Sequence, residues 1–425
     1  MYTYMKVVII GSGGREHAIC TSIKKSKKIT AIYCIPGNAG TADIAQNIDL
    51  DPNNFEKIRN FIEENNVDLA IVGPEKPLVN GIVDFLENHK IKVFGPNKLA
   101  STLEGSKIFT KNLCEKYNIP TASFGVFKDK KESEKFLVKC KFPIVVKADG
   151  LASGKGVYIC KNKEDAINAV EEIFNGKFGN AEQILIEEFL SGEEMSFFII
   201  SDGKIFKKFG TAQDHKRVGE GDVGKNTGGM GSYSPSRMEN EILDNKILEK
   251  IIRPTINALN DMGTIFKGFL YAGLMIIKGE PYLIEYNVRM GDPECQTILP
   301  RLKTDFLEII NSSINQDLES IDIKWQNSKS LCVVLCSKGY PEKFDNEIEI
   351  KNLENINLIE NEFIFHAGTK RKGNKIISNG GRVLNFVVTS KNFGDSREKA
   401  IELIEKLNWI NGFFRKDIGY KVIGK

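Results

Sequence analysis

Short apolar runs alternate with longer polar-and-apolar stretches through the first hundred residues. The runs at 7–10, 29–35, 67–72 and 92–94 have strand length, and each closes on a turn. Those turns are Gly11-Ser12-Gly13-Gly14, Pro36-Gly37-Asn38, Gly73-Pro74-Glu75 and Gly95-Pro96. A helix is expected over 15–24. Apolar strands separated by helices predict an open parallel sheet. Ligands of such sheets sit at the carboxyl ends of the strands, where Gly13, Asn38 and Glu75 stand.

A second unit begins near Ser101. Helices are expected over 106–117, 132–139 and 163–174, and strands over 126–127, 142–148, 157–160 and 183–187. From about 193 the pattern turns antiparallel. Runs 195–200 and 204–210 flank Asp202-Gly203, and runs 271–277 and 282–288 flank Lys278-Gly279-Glu280-Pro281. Strands at 330–336 and 381–388 belong to a last, smaller unit. The expected division is 1–103, 104–324 with a lid at about 123–192, and 325–425.

Composition narrows the function. The formal net charge of the 425 residues is +3, so no basic field argues for nucleic acid. No apolar run approaches a membrane span. The first residues run straight into a strand, too abruptly for a signal peptide, and Met5 serves as well as Met1 for a start. Eight scattered cysteines suit a reduced, cytoplasmic protein, and Cys332 and Cys336 read as buried thiols on one strand.

Five segments carry candidate chemistry. The Gly11 turn has the setting of a dinucleotide fingerprint, but Glu16 holds the third glycine position. Its amides would still suit a single phosphate. Lys147 ends an apolar strand, where a lysine needs an anion, and the glycine-rich 150–156 loop after it can lay amides on phosphates. A snorkelling lysine beside a flexible hairpin is the plainer alternative. Glu187-Glu188-Phe189-Leu190-Ser191-Gly192-Glu193-Glu194 could meet a ribose and an adenine, or be a solvated acidic turn.

The segment from Glu285 to Glu294 is sharper. Glu285, Asn287 and Arg289 alternate and therefore share one strand face. Two oxygen donors roughly 7 Å apart along a strand suit Mg²⁺ bridging phosphates, and Arg289 can stabilise charge on a phosphoryl or carboxylate. Structural salt bridging is the alternative. Last, Gln213-Asp214-His215-Lys216-Arg217 meets the glycine-rich run 224–231, suggesting a small polar substrate or an ordinary loop. His17, His89 and His366 show no metal-ligand spacing.

Taken together, GSGGREHA (11–18), PGNAGTA (36–42), IVGPE (71–75), KADGLASGKGV (147–157), QDHKR (213–217), NTGGMGSYSP (226–235), YAGLM (271–275) and EYNVRMGDPE (285–294) resemble the phosphoribosylamine–glycine ligase (glycinamide ribonucleotide synthetase) family of ATP-grasp enzymes. The resemblance runs end to end. It implies a Rossmann-like pre-ATP-grasp domain, an ATP-grasp fold and a small C-terminal domain. It implies ligation of glycine to 5-phosphoribosylamine through glycyl phosphate in purine biosynthesis, with ATP as substrate and Mg²⁺ or Mn²⁺ as cofactor; neither nucleic acid nor membrane is expected as a partner. A monomer is the expected state.

By position, the resemblance implies ATP contacts at Lys107, Lys147, Gly154, Lys155, Gly156, Glu187, Glu188, Leu190 and Glu194. Glu285 and Asn287 would hold the metal, and Lys147 and Arg289 would be catalytic. Gly13, Gly14, Asn38, Glu75, Asp214, Lys216 and Arg289 would face substrate, with Gly13, Gly14, Asn38, Glu75 and Asp214 assigned to phosphoribosylamine. The chain departs from the wider superfamily where a second acidic metal ligand would stand, at Leu274 or Met275. Ser153 and Cys295 replace a common alanine and threonine. Two rivals remain: another ATP-grasp ligase, and a non-catalytic nucleotide-binding protein.

Overall fold

A computed structural model describes residues 4–151, 156–179 and 181–424. Its N-terminal sheet is wholly parallel, in the order Gln46–Asn47, Ile29–Pro36, Met5–Gly11, Leu69–Val72, Val93–Phe94. Met5–Gly11 is central because Val7, Val8, Ile9 and Ile10 are all fully buried, with helices covering both faces. The next strands in sequence pair on its opposite sides, which opens a crevice at its carboxyl end. The Gly11–Gly14 turn lies there and feeds helix Gly14–Lys24.

Glu16 explains the glycines around that crevice. Its carboxylate accepts the Gly13 N–H at 2.6 Å and Arg15 Nε at 2.6 Å. A Cβ on Gly73 would lie 2.1 Å from Glu16 Oε1, and one on Gly11 would lie 2.5 Å from its Cγ. The Glu16 side chain thus fills the space between the Gly11 turn and Gly73.

A small antiparallel sheet follows, in the order Phe124–Phe127, Ile184–Glu188, Ile144–Ala148, Val157–Cys160. Helices Lys130–Leu137 and Lys163–Phe174 cover it and bury Leu137, Ala166, Val170 and Ile173. Residues 189–192 then lead into a larger sheet. Both expected hairpins are present: Glu193–Asp202 with Phe206–Asp214, and Lys267–Ile277 with Glu280–Asn287.

The larger sheet continues into the C-terminal region. Gly231–Ser234 pairs with Phe206–Asp214 on one side and Lys329–Ser337 on the other. Lys329–Ser337 pairs in turn with Arg382–Ser390. A strand read from sequence as part of a separate unit is therefore bonded into the sheet that carries the 213–217 segment. Cys332 and Cys336 are buried and free, and all eight cysteines are thiols.

Candidate functional site: a cleft between two sheets

Lys147 and Glu187 face each other on the small sheet. Val145 pairs with Glu187, so Lys147 lies two residues along on the same face. The ammonium is 2.8 Å from Glu187 Oε1, and both residues are buried. Lys111, four residues after Lys107 on helix Lys107–Lys116, reaches the same carboxylate at 3.2 Å and bonds Thr121 Oγ1 at 2.6 Å. Sequence reading missed Lys111; its i, i+4 spacing from Lys107 was the available signal.

Lys107 begins that helix and donates to the Gly150 carbonyl at 2.8 Å. Burial lowers the Lys107 ammonium, although Glu285 opposes it. Asp149 fixes this junction, accepting from Ser106 Oγ at 3.0 Å and from the Ile108 N–H at 3.2 Å. Gly156 is buried, and its carbonyl accepts the Ala148 N–H at 2.9 Å. Gly154 and Lys155 lie outside the described residues. Glu188 is exposed beside Ser123, and Leu190 is half-buried in the connection between the sheets.

The larger sheet supplies the opposite wall. Glu285 keeps 36% of its side chain open. Burial opposes its ionisation, but Lys216, Lys147, Lys107 and Arg289 outweigh that and hold the carboxyl below its usual range. Those four cations come from four separate segments. Lys216 Nζ lies 3.2 Å from Glu194 and 3.8 Å from Glu285. Asn287 Oδ1 accepts from Arg289 at 3.1 Å, which leaves a lone pair for a metal.

The oxygen pair fits a hard cation that completes its shell with water and phosphate. No cluster of three or more His, Cys, Asp or Glu among the described residues offers a protein-only cage.

Arg289 is more entangled than its motif suggests. It binds Glu104 at 2.7 Å, lies 3.3 Å from Glu75 and donates to the Met290 carbonyl at 3.1 Å. Burial pushes the Glu104 carboxyl up to about 6, with Arg289 opposing. Burial also works against Glu75, but Arg289 and Arg15 outweigh it and lower its carboxyl. Glu104 lies in no quoted motif, and Arg15, although inside GSGGREHA, has no assigned role there. The structural alternative for Arg289 is thus real, and it coexists with a position beside Asn287.

At the N-terminal end, the Arg15 N–H donates to Asp292 Oδ2 at 3.1 Å, and a Cβ on Gly13 would lie 3.2 Å from that oxygen. A Cβ on Gly14 would meet Asn385 and Gln296 at 2.4 and 2.5 Å. This turn therefore packs against both other regions. Asn38 braces it: the amide donates to Ser12 O at 2.9 Å and His366 O at 2.8 Å, while Oδ1 accepts from Gly40 N and Thr41 N.

The 213–217 segment splits by side. Gln213 is spent on Glu193, Tyr233 and Ser236. His215 accepts the Gly419 N–H at 2.9 Å, and burial lowers its imidazole. Asp214 and Lys216 stand at the alternate positions, and Lys216 reaches towards Glu194 and Glu285. A cavity of about 810 Å³ elsewhere is lined by His17, His366, Asp43 and Arg371, and by none of the candidate site residues.

Three family models match in order. They are the N domain of phosphoribosylglycinamide synthetase over residues 5–104, its ATP-grasp (A) domain over 105–295 and its C domain over 330–421. The chain is 44% identical to a phosphoribosylamine–glycine ligase of Mesorhizobium japonicum, covering 99% of each sequence. It superposes on the crystal structure of phosphoribosylamine–glycine ligase from Thermotoga maritima with a TM-score of 0.86 and 35% identity, covering 97% of this chain and 100% of that one. The biotin carboxylase domain of a Hydrogenobacter thermophilus 2-oxoglutarate carboxylase shares the fold, with a TM-score of 0.70 and 17% identity over 95% of this chain and 90% of that one. With all three domains matched across nearly its whole length, the chain belongs to the phosphoribosylglycinamide synthetase family.

Proposed function

We propose that this protein ligates glycine to 5-phosphoribosylamine at the expense of ATP, giving glycinamide ribonucleotide, ADP and phosphate in de novo purine biosynthesis. The observation that carries this reading is the convergence of Lys107, Lys147, Lys216 and Arg289 on the open carboxylate of Glu285. Family membership supplies the substrates, because the relatives carry the name phosphoribosylamine–glycine ligase.

Glycine's carboxylate is a poor electrophile. Transfer of the γ-phosphoryl to one carboxylate oxygen gives glycyl phosphate and ADP. The neutral amine of phosphoribosylamine then attacks the carbonyl, and phosphate leaves with that oxygen. Lys107, Lys147 and the 154–156 amides would hold the phosphates. Glu187, Glu188 and Leu190 would border the adenine, with Glu194 at the ribose. Glu187 would act there through its grip on Lys147, since its carboxylate is already paired.

Glu285 and Asn287 would hold Mg²⁺ or Mn²⁺, which supplies charge neutralisation at the transferring phosphoryl. Arg289 would add positive field and hold the Asn287 amide in place. Gly13, Gly14, Asn38, Glu75, Asp214 and Lys216 would shape the substrate end, with Asn38 serving through the turn it braces. Much of the acceleration would come from holding both substrates and the acyl phosphate together away from water.

The domain units we assign are 1–103, 104–324 with its lid at 123–192, and 325–425, in a cytoplasmic monomer. No described helix is long and apolar enough to cross a membrane. A coupled assay of ADP release tests the reading. Turnover should require both glycine and the amine; ADP release indifferent to glycine would overturn it.

A further inference from the structure

Glu104 joins two parts of the cleft. It stands at the end of helix Lys98–Gly105, just before Lys107 begins the next helix. Its side chain is 7% exposed. Both carboxylate oxygens are taken by the segment that carries the candidate metal ligands. Oε2 accepts the Val288 N–H at 2.8 Å, and Oε1 accepts from Arg289 Nη2 at 2.7 Å.

The first bond fixes a strand end. Val288 lies one residue beyond strand Glu280–Asn287, whose last paired residue is Asn287, opposite Tyr271. The ladder stops there, and Glu104 takes up the next N–H. The second bond fixes a guanidinium. Arg289 Nη2 also donates to Asn287 Oδ1 at 3.1 Å, so one nitrogen spans Glu104 and Asn287. Arg289 Nε lies 3.3 Å from Glu75 but makes no hydrogen bond there. Among the described residues Glu104 is the carboxylate that Arg289 hydrogen-bonds.

A carboxamide has an oxygen on one side and an NH2 on the other, and the oxygen is the hard ligand that suits Mg²⁺. A flipped Asn287 would turn its NH2 towards the Arg289 donor. A guanidinium held in place therefore keeps the oxygen on that side, with a lone pair to spare.

We propose that Glu104 is a positioning residue for the metal end of the site: it holds Arg289 and the strand end so that the Asn287 carboxamide presents its oxygen. This rests on the ligase reading above. Glu104 acts through Arg289 and Val288. Its place at the root of the Lys107 helix also ties a phosphate-binding lysine to the metal-bearing strand through one side chain. The alternative is a buried ion pair with a structural role alone.

The test reads metal binding directly. Mn²⁺ affinity is measured by electron paramagnetic resonance on the full chain with a non-hydrolysable ATP analogue bound. Affinity for the analogue in EDTA and the substrate-free Tm are measured beside it. Glu104→Gln leaves one acceptor oxygen where Glu104 uses two, so one of the two bonds is lost. Its Kd for Mn²⁺ should rise about 10-fold, and that of Glu104→Ala about 10- to 100-fold, as when a group that orients a metal ligand is removed. The KM values for glycine and the amine, and the metal-free affinity for the analogue, should stay within about threefold.

Asn287→Asp supplies a second readout. A carboxylate presents the same atom on either side, so no orientation has to be selected. In that background Glu104→Gln should change Mn²⁺ affinity by less than about threefold. An equal loss in both backgrounds would overturn the proposal. So would a lowered Tm with wild-type Mn²⁺ affinity, which would leave Glu104 a structural partner of Arg289. If wild-type turnover ignores glycine altogether, the ligase reading fails instead, a result read from the wild type alone.

Discussion

Glu187 and Asp214 are carboxylates of one cleft, and the fold treats them in opposite ways. Glu187 lies between Lys147 at 2.8 Å and Lys111 at 3.2 Å, and Lys107 adds a third cation on the same side. Among the described residues no hydrogen bond or ion pair reaches the Asp214 carboxylate, and burial, then Glu294, pushes it above the usual range. One carboxylate is thus matched by cations within the fold, and among the described residues the other is not. A carboxylate matched within the fold is scaffold, and an unmatched one is a candidate binding group.

The largest expected effect falls on a third carboxylate. Glu285→Gln keeps the shape of the strand and removes the charge that four cations surround. It should lower kcat/KM by about 100- to 1000-fold, as loss of a preorganised electrostatic group does. A Mg²⁺ titration read by ADP release checks this; near-wild-type turnover would remove Glu285 from the metal site.

Lys147→Ala tests the matched carboxylate. Glu187 retains Lys111, so the fold should tolerate the change. The kcat/KM for ATP should fall by about 10- to 100-fold through loss of a charge-assisted contact. Unchanged kinetics with lowered thermal stability would make Lys147 a structural lysine.

Lys111→Met sharpens the contrast within one helix. Lys111 is 2% exposed and tied to Thr121 and Ala122. Its loss should cost about 1–3 kcal/mol in urea unfolding, while the KM for ATP rises only a few-fold. A kinetic defect as large as that of Lys147→Ala would place both lysines on the phosphates.

The smallest effect concerns the wall behind the substrate end. The His366 N–H donates to His17 Nδ1 at 2.9 Å, and both rings are buried. Burial drops His17 to about 3 and His366 to about 4, with His366 also acting against His17. Unfolding lets each take a proton below its ordinary value near 6.5. Stability is therefore complete above that value and declines as the pH falls towards the folded values. The stability advantage of the wild type over His366→Gln should shrink by about 1.4 kcal/mol per pH unit from 6.5 towards 5. Urea unfolding across that range measures it; a flat difference would mean that His366 ionises freely in the folded protein.

The parts of this cleft that lie on one strand or turn were legible in the sequence. Glu285 and Asn287 share a face by alternation alone, and Gly13 marks a strand end by its turn. Glu16 at the third glycine position already argued against a dinucleotide fingerprint. What escaped depends on chain segments meeting across the fold. Glu104 and Arg289 are 185 residues apart in sequence, and Arg15 and Asp292 are 277 apart. No periodicity encodes such pairs. Asn38 looked like a substrate group because it ends a strand, yet its amide ties the Gly13 turn to His366. The seam between the 213–217 segment and the C-terminal strands was hidden for the same reason, since register between distant strands is a property of the folded sheet.

The most direct test of the central claim follows one oxygen atom. If glycine is activated as an acyl phosphate, a carboxylate oxygen must depart with the phosphate. Glycine labelled with ¹⁸O in both carboxylate positions should yield inorganic phosphate carrying one labelled oxygen per turnover, read by mass spectrometry of phosphate released in unlabelled water. Unlabelled phosphate with normal product formation would contradict the account, because the γ-phosphoryl would then have gone somewhere other than the glycine carboxylate.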